Sequence, residues 1–244
     1  TPTTDLASST QYYWRVRPSN ICGAGPTSAV RQFSTLAAPG DCGVGTVANT
    51  LFSDDVENGT NGWTTSAGSG SAQWAISTAR PYGGTGRSWL AQDVTTSSDQ
   101  RLTSPTIALP TGASPLTLQF QSDQTMEVNT SGGCWDGGFL EVSTDGGTTY
   151  TALPSSAMLT DPYNGALGSG NPAAPKPAWC GDPQAYLRSV VALDAYAGQS
   201  VKLRFRMATD GSQGRMPHGW YVDNIKVQGC SVPAPDALFA NGFE

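Results

Sequence analysis

The chain has 244 residues, with 13 basic against 19 acidic side chains, a net charge of −6, one histidine, five cysteines, 29 glycines and 17 prolines. Charged residues are 13% of it, about half the usual share, and so many helix breakers exclude a helical protein. The acidic balance argues against nucleic acid or an anionic membrane surface as partner, while 38% apolar residues leave ample material for a core.

No stretch approaches the roughly 18–20 consecutive apolar residues of a membrane-spanning helix, and no basic start leads into an apolar run. Thr1-Pro-Thr-Thr-Asp-Leu6 reads as the interior of something longer. The expectation is the tail of a secreted polypeptide whose export signal lies upstream. Five cysteines without CxxC spacing favour disulfides over a metal cluster, hence an extracytoplasmic compartment.

Residues 6–36 carry the first unit. A turn leads into an alternating strand, Tyr12-Tyr13-Trp14-Arg15-Val16-Arg17; a Gly/Pro turn follows, and then a second strand over Ala29–Thr35. A Leu six residues before a Tyr that opens a Trp-Arg-Val strand resembles the tyrosine corner and last strands of a fibronectin type III domain. Residues 1–36 are therefore expected to be its C-terminal part, which leaves Trp14 and Phe33 with half a core.

Residues 37–41 read as a linker, and the texture changes at Cys42. Strands are predicted over 49–57, 72–77, 88–93, 100–108, 116–122, 138–144, 148–153, 186–194, 200–207 and 220–227. Asp145-Gly146-Gly147 joins two alternating runs as a hairpin. Ten short strands imply an all-β, antiparallel two-sheet sandwich or jelly roll over 42–230. Residues 154–185 show no strand pattern and read as a functional or disulfide-tied loop. Residues 231–244 are a Pro-rich tail with a short aromatic ending, Phe239–Glu244.

Several segments match a known module in order. They are Asp55-Val-Glu57-Asn-Gly59 with Gly62-Trp63, Leu102-Thr-Ser-Pro105, Asp136-Gly-Gly138, Glu141-Val-Ser-Thr-Asp145-Gly-Gly147, Arg204-Phe-Arg206 and Gly219-Trp-Tyr-Val-Asp223-Asn-Ile225. Together they resemble the MAM-like jelly-roll modules of the immune inhibitor A type, found near the C-termini of secreted bacterial metalloproteases. The resemblance spans nearly all of residues 50–228. It implies an accessory role beside an upstream catalytic domain rather than catalysis, and no HExxH helix is present.

Catalytic constellations are sparse. One histidine cannot build a two- or three-His zinc site. A serine triad has to use His218, which sits in a turn with no GxSxG elbow. Cys134-Trp135 echoes the papain-type nucleophile step, but Asp136-Gly-Gly138 and a strand follow it instead of a helix. Paired carboxylates for a glycosidase exist on paper, Glu127 with Asp136 or Glu141 with Asp145, though the latter two read as solvent-facing strand and turn residues.

The strongest chemical expectation is structural calcium. Asp55 and Glu57 share one face of the first strand, and Asp223 lies near the end of the last. A jelly roll pairs those strands, and adjacent carboxylates need a cation or proton between them. The resembled family commonly holds a cation at this seam, where Glu57 and Asp223 are the matching positions; Asp55 and Asp136 are weaker candidates. The plain alternative is exposed turn acids. Cys42–Cys230 is expected to clamp the sandwich and Cys134–Cys180 to tie the long loop, leaving Cys22 over; Cys22–Cys42 with Cys230 free is the rival pairing. The second bridge would gather Trp135 and Trp179 beside Tyr163 as a stacking surface for a sugar or peptide, or simply as disulfide packing.

The combined reading is a calcium-stabilised, non-catalytic module from the C-terminus of a secreted bacterial multidomain protein, a protease by the resemblance, that serves substrate or surface binding, with an extracellular protein or glycan as ligand, or stabilises its parent. An independent glycosidase or peptidase, or a carbohydrate-binding module of a polysaccharide-degrading enzyme, is the alternative.

Overall fold

A computed structural model gives the fold, and residues 6–233 are described. The tail beyond residue 233, with its Phe239–Glu244 ending, lies outside the described residues. The N-terminal unit is a hairpin of β1 (Gln11–Trp14) and β2 (Arg31–Ser34) in antiparallel register, with Tyr12 stacked on Phe33 at 5.7 Å. Ala7 donates its N–H to the Tyr12 hydroxyl at 2.7 Å, the bond of a tyrosine corner. Trp14 and Phe33 stay 48% and 43% exposed, so the hairpin buries no core of its own.

The rest is a sandwich of two antiparallel sheets. Its strands in chain order are β3 (Val47–Asp54), β4 (Thr64–Ser69), β5 (Ala75–Ser77), β6 (Ser88–Gln92), β7 (Ser98–Thr103), β8 (Ile107–Ala108), β9 (Leu116–Gln124), β10 (Gly137–Ser143), β11 (Thr151–Ala152), β12 (Met158–Thr160), β13 (Leu187–Ala192), β14 (Ser200–Thr209) and β15 (Gly219–Ser231). The six-stranded sheet runs β11-β10-β14-β7-β4, with β8 also on β14. The seven-stranded sheet runs β12-β13-β9-β15-β6-β5, with β3 also on β15.

Alternation drives the packing. Leu118, Phe120, Val222 and Ile225 of one sheet meet Leu140, Leu203, Phe205 and Met207 of the other, all 1% exposed or less. Trp74, Trp179 and Phe205 pack around Trp220, with ring centroids 5.3–6.3 Å apart where they pair. Gly138 makes room for that Trp: a Cβ there would fall 2.3 Å from its ring. The expected two-sheet all-β fold is present, and Trp63, Trp74, Trp89 and Trp220 are core, the last two within strands and the first two each one residue before a strand.

Several local expectations are corrected. The first strand stops at Asp54, because Val56 takes a left-handed φ of 63° and starts a turn. The polar β4 carries no apolar alternation to announce it, yet it forms the edge of the six-stranded sheet. The 154–185 loop holds β12 and a two-residue ladder between Gly165–Ala166 and Pro177–Ala178. Residues 37–41 lie on the sandwich: Gln119 and Gln228 donate to the Gly40 carbonyl at 2.7 and 2.5 Å, and Gly40 adopts a φ of 83° where a Cβ would strike Gln119. Glu141 does not face solvent; it is buried and ion-paired with Arg204 and Arg206.

Candidate functional site

Both disulfides form as expected, Cys42–Cys230 and Cys134–Cys180, and Cys22 is free and exposed. The aromatic surface does not form. Trp179 is fully buried, donating its indole N–H to the Asp161 carbonyl at 2.8 Å and packing on Tyr163 at 4.4 Å. Tyr163 is half-buried, and its hydroxyl accepts from the Leu140 N–H at 3.0 Å. Trp135, also half-buried, lies over Gly168. The disulfide draws these rings into packing, so Trp179 and Tyr163 are corrected from ligand-facing to structural.

The seam between first and last strands is built around a bulge. Gln119 of β9 pairs with Lys226 and Gln121 with Asp223, so β15 carries one extra residue there. Asn224 takes it up with a left-handed φ of 46°. Glu57 and Asp223 do reach one corner, where both hold the loop over residues 82–87. Asp223 accepts from the N–H of Tyr82 at 2.9 Å and of Asn224 at 2.7 Å, and Glu57 accepts from the N–H of Arg87 at 2.8 Å. Burial pushes the Asp223 carboxyl up, those N–H groups pull it down, and the charges of Glu57 and Asp54 add to the rise.

The buried acid of the 54–57 segment is Asp54, which sequence reasoning passed over in favour of Asp55. One Asp54 oxygen accepts from the Val56 N–H at 3.1 Å; the other has no partner, although the indoles of Trp89 and Trp63 act on the group. Asp55 is exposed. Above the bulge lies a polar groove of about 550 Å³, whose lining includes Asp54, Asp55, Asn58, Gln121, Arg188, Asn224 and Lys226. No single motif marks this groove in sequence, because its walls come from four separated segments.

Asp136 is not at the seam. It stands by the Gly219 end of β15, beside Glu127 and Asp210, with one carboxylate oxygen from each of the three lying within 4.8 Å of the others. Asp93 faces it as well: burial raises both groups above the ordinary carboxylate range, and their mutual contact lifts Asp136 further while offsetting part of the rise at Asp93. His218 lies exposed on its turn, and the Cys134 sulfur is held in the disulfide.

No family model matches the chain, and no curated protein matches it. Among solved structures it is similar to the K3 cleaved adhesin domain of Lys-gingipain from Porphyromonas gingivalis w83, with 16% identity and a TM-score of 0.43 over 75% of this chain and 99% of that one. It is also similar to carbohydrate-binding modules from the β-sandwich super family, with 13% identity and a TM-score of 0.39 over 89% of this chain and 74% of that one. A third likeness is to the glycoside hydrolase domain of Endo-D from Streptococcus pneumoniae R6, with 15% identity and a TM-score of 0.37 over 71% of this chain and 22% of that one.

Proposed function

We propose that the chain is a non-catalytic binding module of a larger secreted bacterial protein, taking a polar extracellular ligand, a glycan or a peptide, in the groove above the β15 bulge. The observation that carries this is the groove itself, a concave surface lined by amides, carboxylates and two cations. The MAM-like reading, with an upstream catalytic domain as covalent partner, draws support from the pairing of β3 with β15. The fibronectin type III reading of residues 1–36 draws support from the Tyr12 corner.

The catalytic alternatives have specific obstacles. The Cys134 sulfur is bonded and offers no thiolate. Glu127 and Asp136 do meet, but at 8% and 0% exposure neither lines the groove. Glycan and peptide arrays test the binding reading. Any signal should fall at least about tenfold in Lys226→Ala and Gln121→Ala and persist in Trp135→Ala, a difference of roughly 1.4 kcal/mol. Equal binding by all three would refute the groove. Hydrolytic turnover abolished by Glu127→Gln would overturn the non-catalytic reading.

Calcium at the seam belongs to the same proposal. Glu57 and Asp223, with Asp55 outside them, have spent lone pairs on backbone N–H groups but keep others free for a cation. Chelation with EDTA should lower the melting temperature, and Glu57→Ala or Asp223→Ala should shrink that difference. An unchanged wild-type melt would refute the seam ion.

A further inference from the structure

We propose a second cation site, for calcium, where Glu127, Asp136 and Asp210 converge, with Asp93 beside Asp136, at the far end of the sandwich from the Cys42–Cys230 bridge. The site goes beyond the groove and the seam and depends on neither.

The four acids stand at four strand ends, two from each sheet. Asp93 follows β6 and Glu127 follows β9 in the seven-stranded sheet; Asp136 precedes β10 and Asp210 follows β14 in the six-stranded sheet. Backbone bonds fix each pair: Glu127 N–H donates to Asp93 Oδ2 at 3.2 Å, and Asp210 N–H donates to Asp136 Oδ1 at 2.7 Å. The remaining oxygens, Asp93 Oδ1 and Asp136 Oδ2, are buried with no donor to meet them, in side chains that are 0% exposed. These are the two carboxylates that face each other across the sheets.

Calcium binds oxygens at about 2.3–2.6 Å, so ligands on opposite sides of one ion stand roughly 5 Å apart. The mutual 4.8 Å limit of the Glu127, Asp136 and Asp210 oxygens fits that span. Ser212 adds a hydroxyl, donating to Asp210 at 2.8 Å and to Glu127 at 3.4 Å. Among the described residues no cationic side chain forms an ion pair with any of the four acids; Arg215 acts on Asp93 only through space. An all-oxygen, multiply charged and irregular donor set suits calcium, whereas zinc favours nitrogen and sulfur. Asp210 is half-buried and Ser212 exposed, which gives an ion a way in.

The rival occupant is a proton shared between Asp93 and Asp136, and the test separates the two. The intact chain is stripped with EDTA, then titrated calorimetrically with calcium at neutral pH beside Asp210→Asn, Asp136→Asn and Glu57→Ala. The expected result is one calcium equivalent lost in both Asp variants and kept in Glu57→Ala. Saturating calcium should raise the wild-type melting temperature by roughly 5–10 °C. Terbium, sensitised by tryptophan, should bind the wild type and show that site lost in Asp210→Asn, whose half-buried position keeps the fold. The same stoichiometry in wild type and both Asp variants would overturn the proposal. So would a wild type that does not respond to calcium while Asp136→Asn melts higher, the signature of a proton-bridged pair.

Discussion

Two places along β15 gather carboxylates, but they are balanced differently. At the seam, Asp223 and Glu57 meet backbone N–H groups of the 82–87 loop and of Asn224. At the far end, Asp93 and Asp136 each have one oxygen paired and one unpaired. A third group, on the six-stranded sheet, is balanced by arginine: Arg206 pairs with Asp99 at 2.7 Å and with Glu141 at 3.0 Å. Carboxylates met by protein groups are complete as they stand, whereas those left facing one another call for something from solution.

Mutagenesis should rank the three arrangements. Arg206→Ala removes the guanidinium shared by two buried carboxylates, leaving Asp99 to Arg101 and Glu141 to Arg204, and should cost about 3 kcal/mol by denaturant unfolding; a loss below 1 kcal/mol would show that the remaining arginines suffice. Asp223→Ala in EDTA removes the acceptor of two N–H groups and should cost about 2–3 kcal/mol. Asp136→Asn in EDTA should be neutral or stabilising, since it relieves repulsion, and a loss as large as that of Asp223→Ala would erase the contrast between the two groups. Asn224→Ala should cost about 1 kcal/mol through its left-handed backbone, while Asn224→Gly should be tolerated.

Acid offers the mildest probe. Burial raises the Asp99 carboxyl, but Arg206 and Arg101 outweigh it and hold the group below its ordinary value. Its contribution is therefore fully present above the unfolded carboxylate range near pH 4 and is lost as pH falls below that. The acid unfolding midpoint should shift upward in Arg101→Ala, and an unchanged midpoint would detach Asp99 from acid stability.

The sequence carried the sandwich, the disulfide pairing and the tryptophan core because each leaves a local or terminal mark. Leu118 and Phe120 alternate with polar neighbours, and Cys42 and Cys230 bracket the strands. It carried the seam only in part. A straight strand through Asp55 and Glu57 was the natural assumption, and the left-handed turn at Val56 hands the buried position to Asp54 instead. Trp135, Trp179 and Tyr163 looked like a surface because adjacency to a cysteine says nothing about which way a ring turns. Of the far-end group the sequence offered only Glu127 with Asp136, because Asp93 and Asp210 join them only when the two sheets pack.

The Cys42–Cys230 bridge also determines how the molecule carries tension. It links chain positions 188 residues apart in sequence while holding their Cα atoms 5.5 Å apart. A pull applied before Cys42 and after Cys230 therefore passes through one sulfur–sulfur bond and leaves the enclosed strands unloaded. The sandwich becomes a passenger on a mechanical shunt, keeping its fold while the polypeptide on either side is stretched.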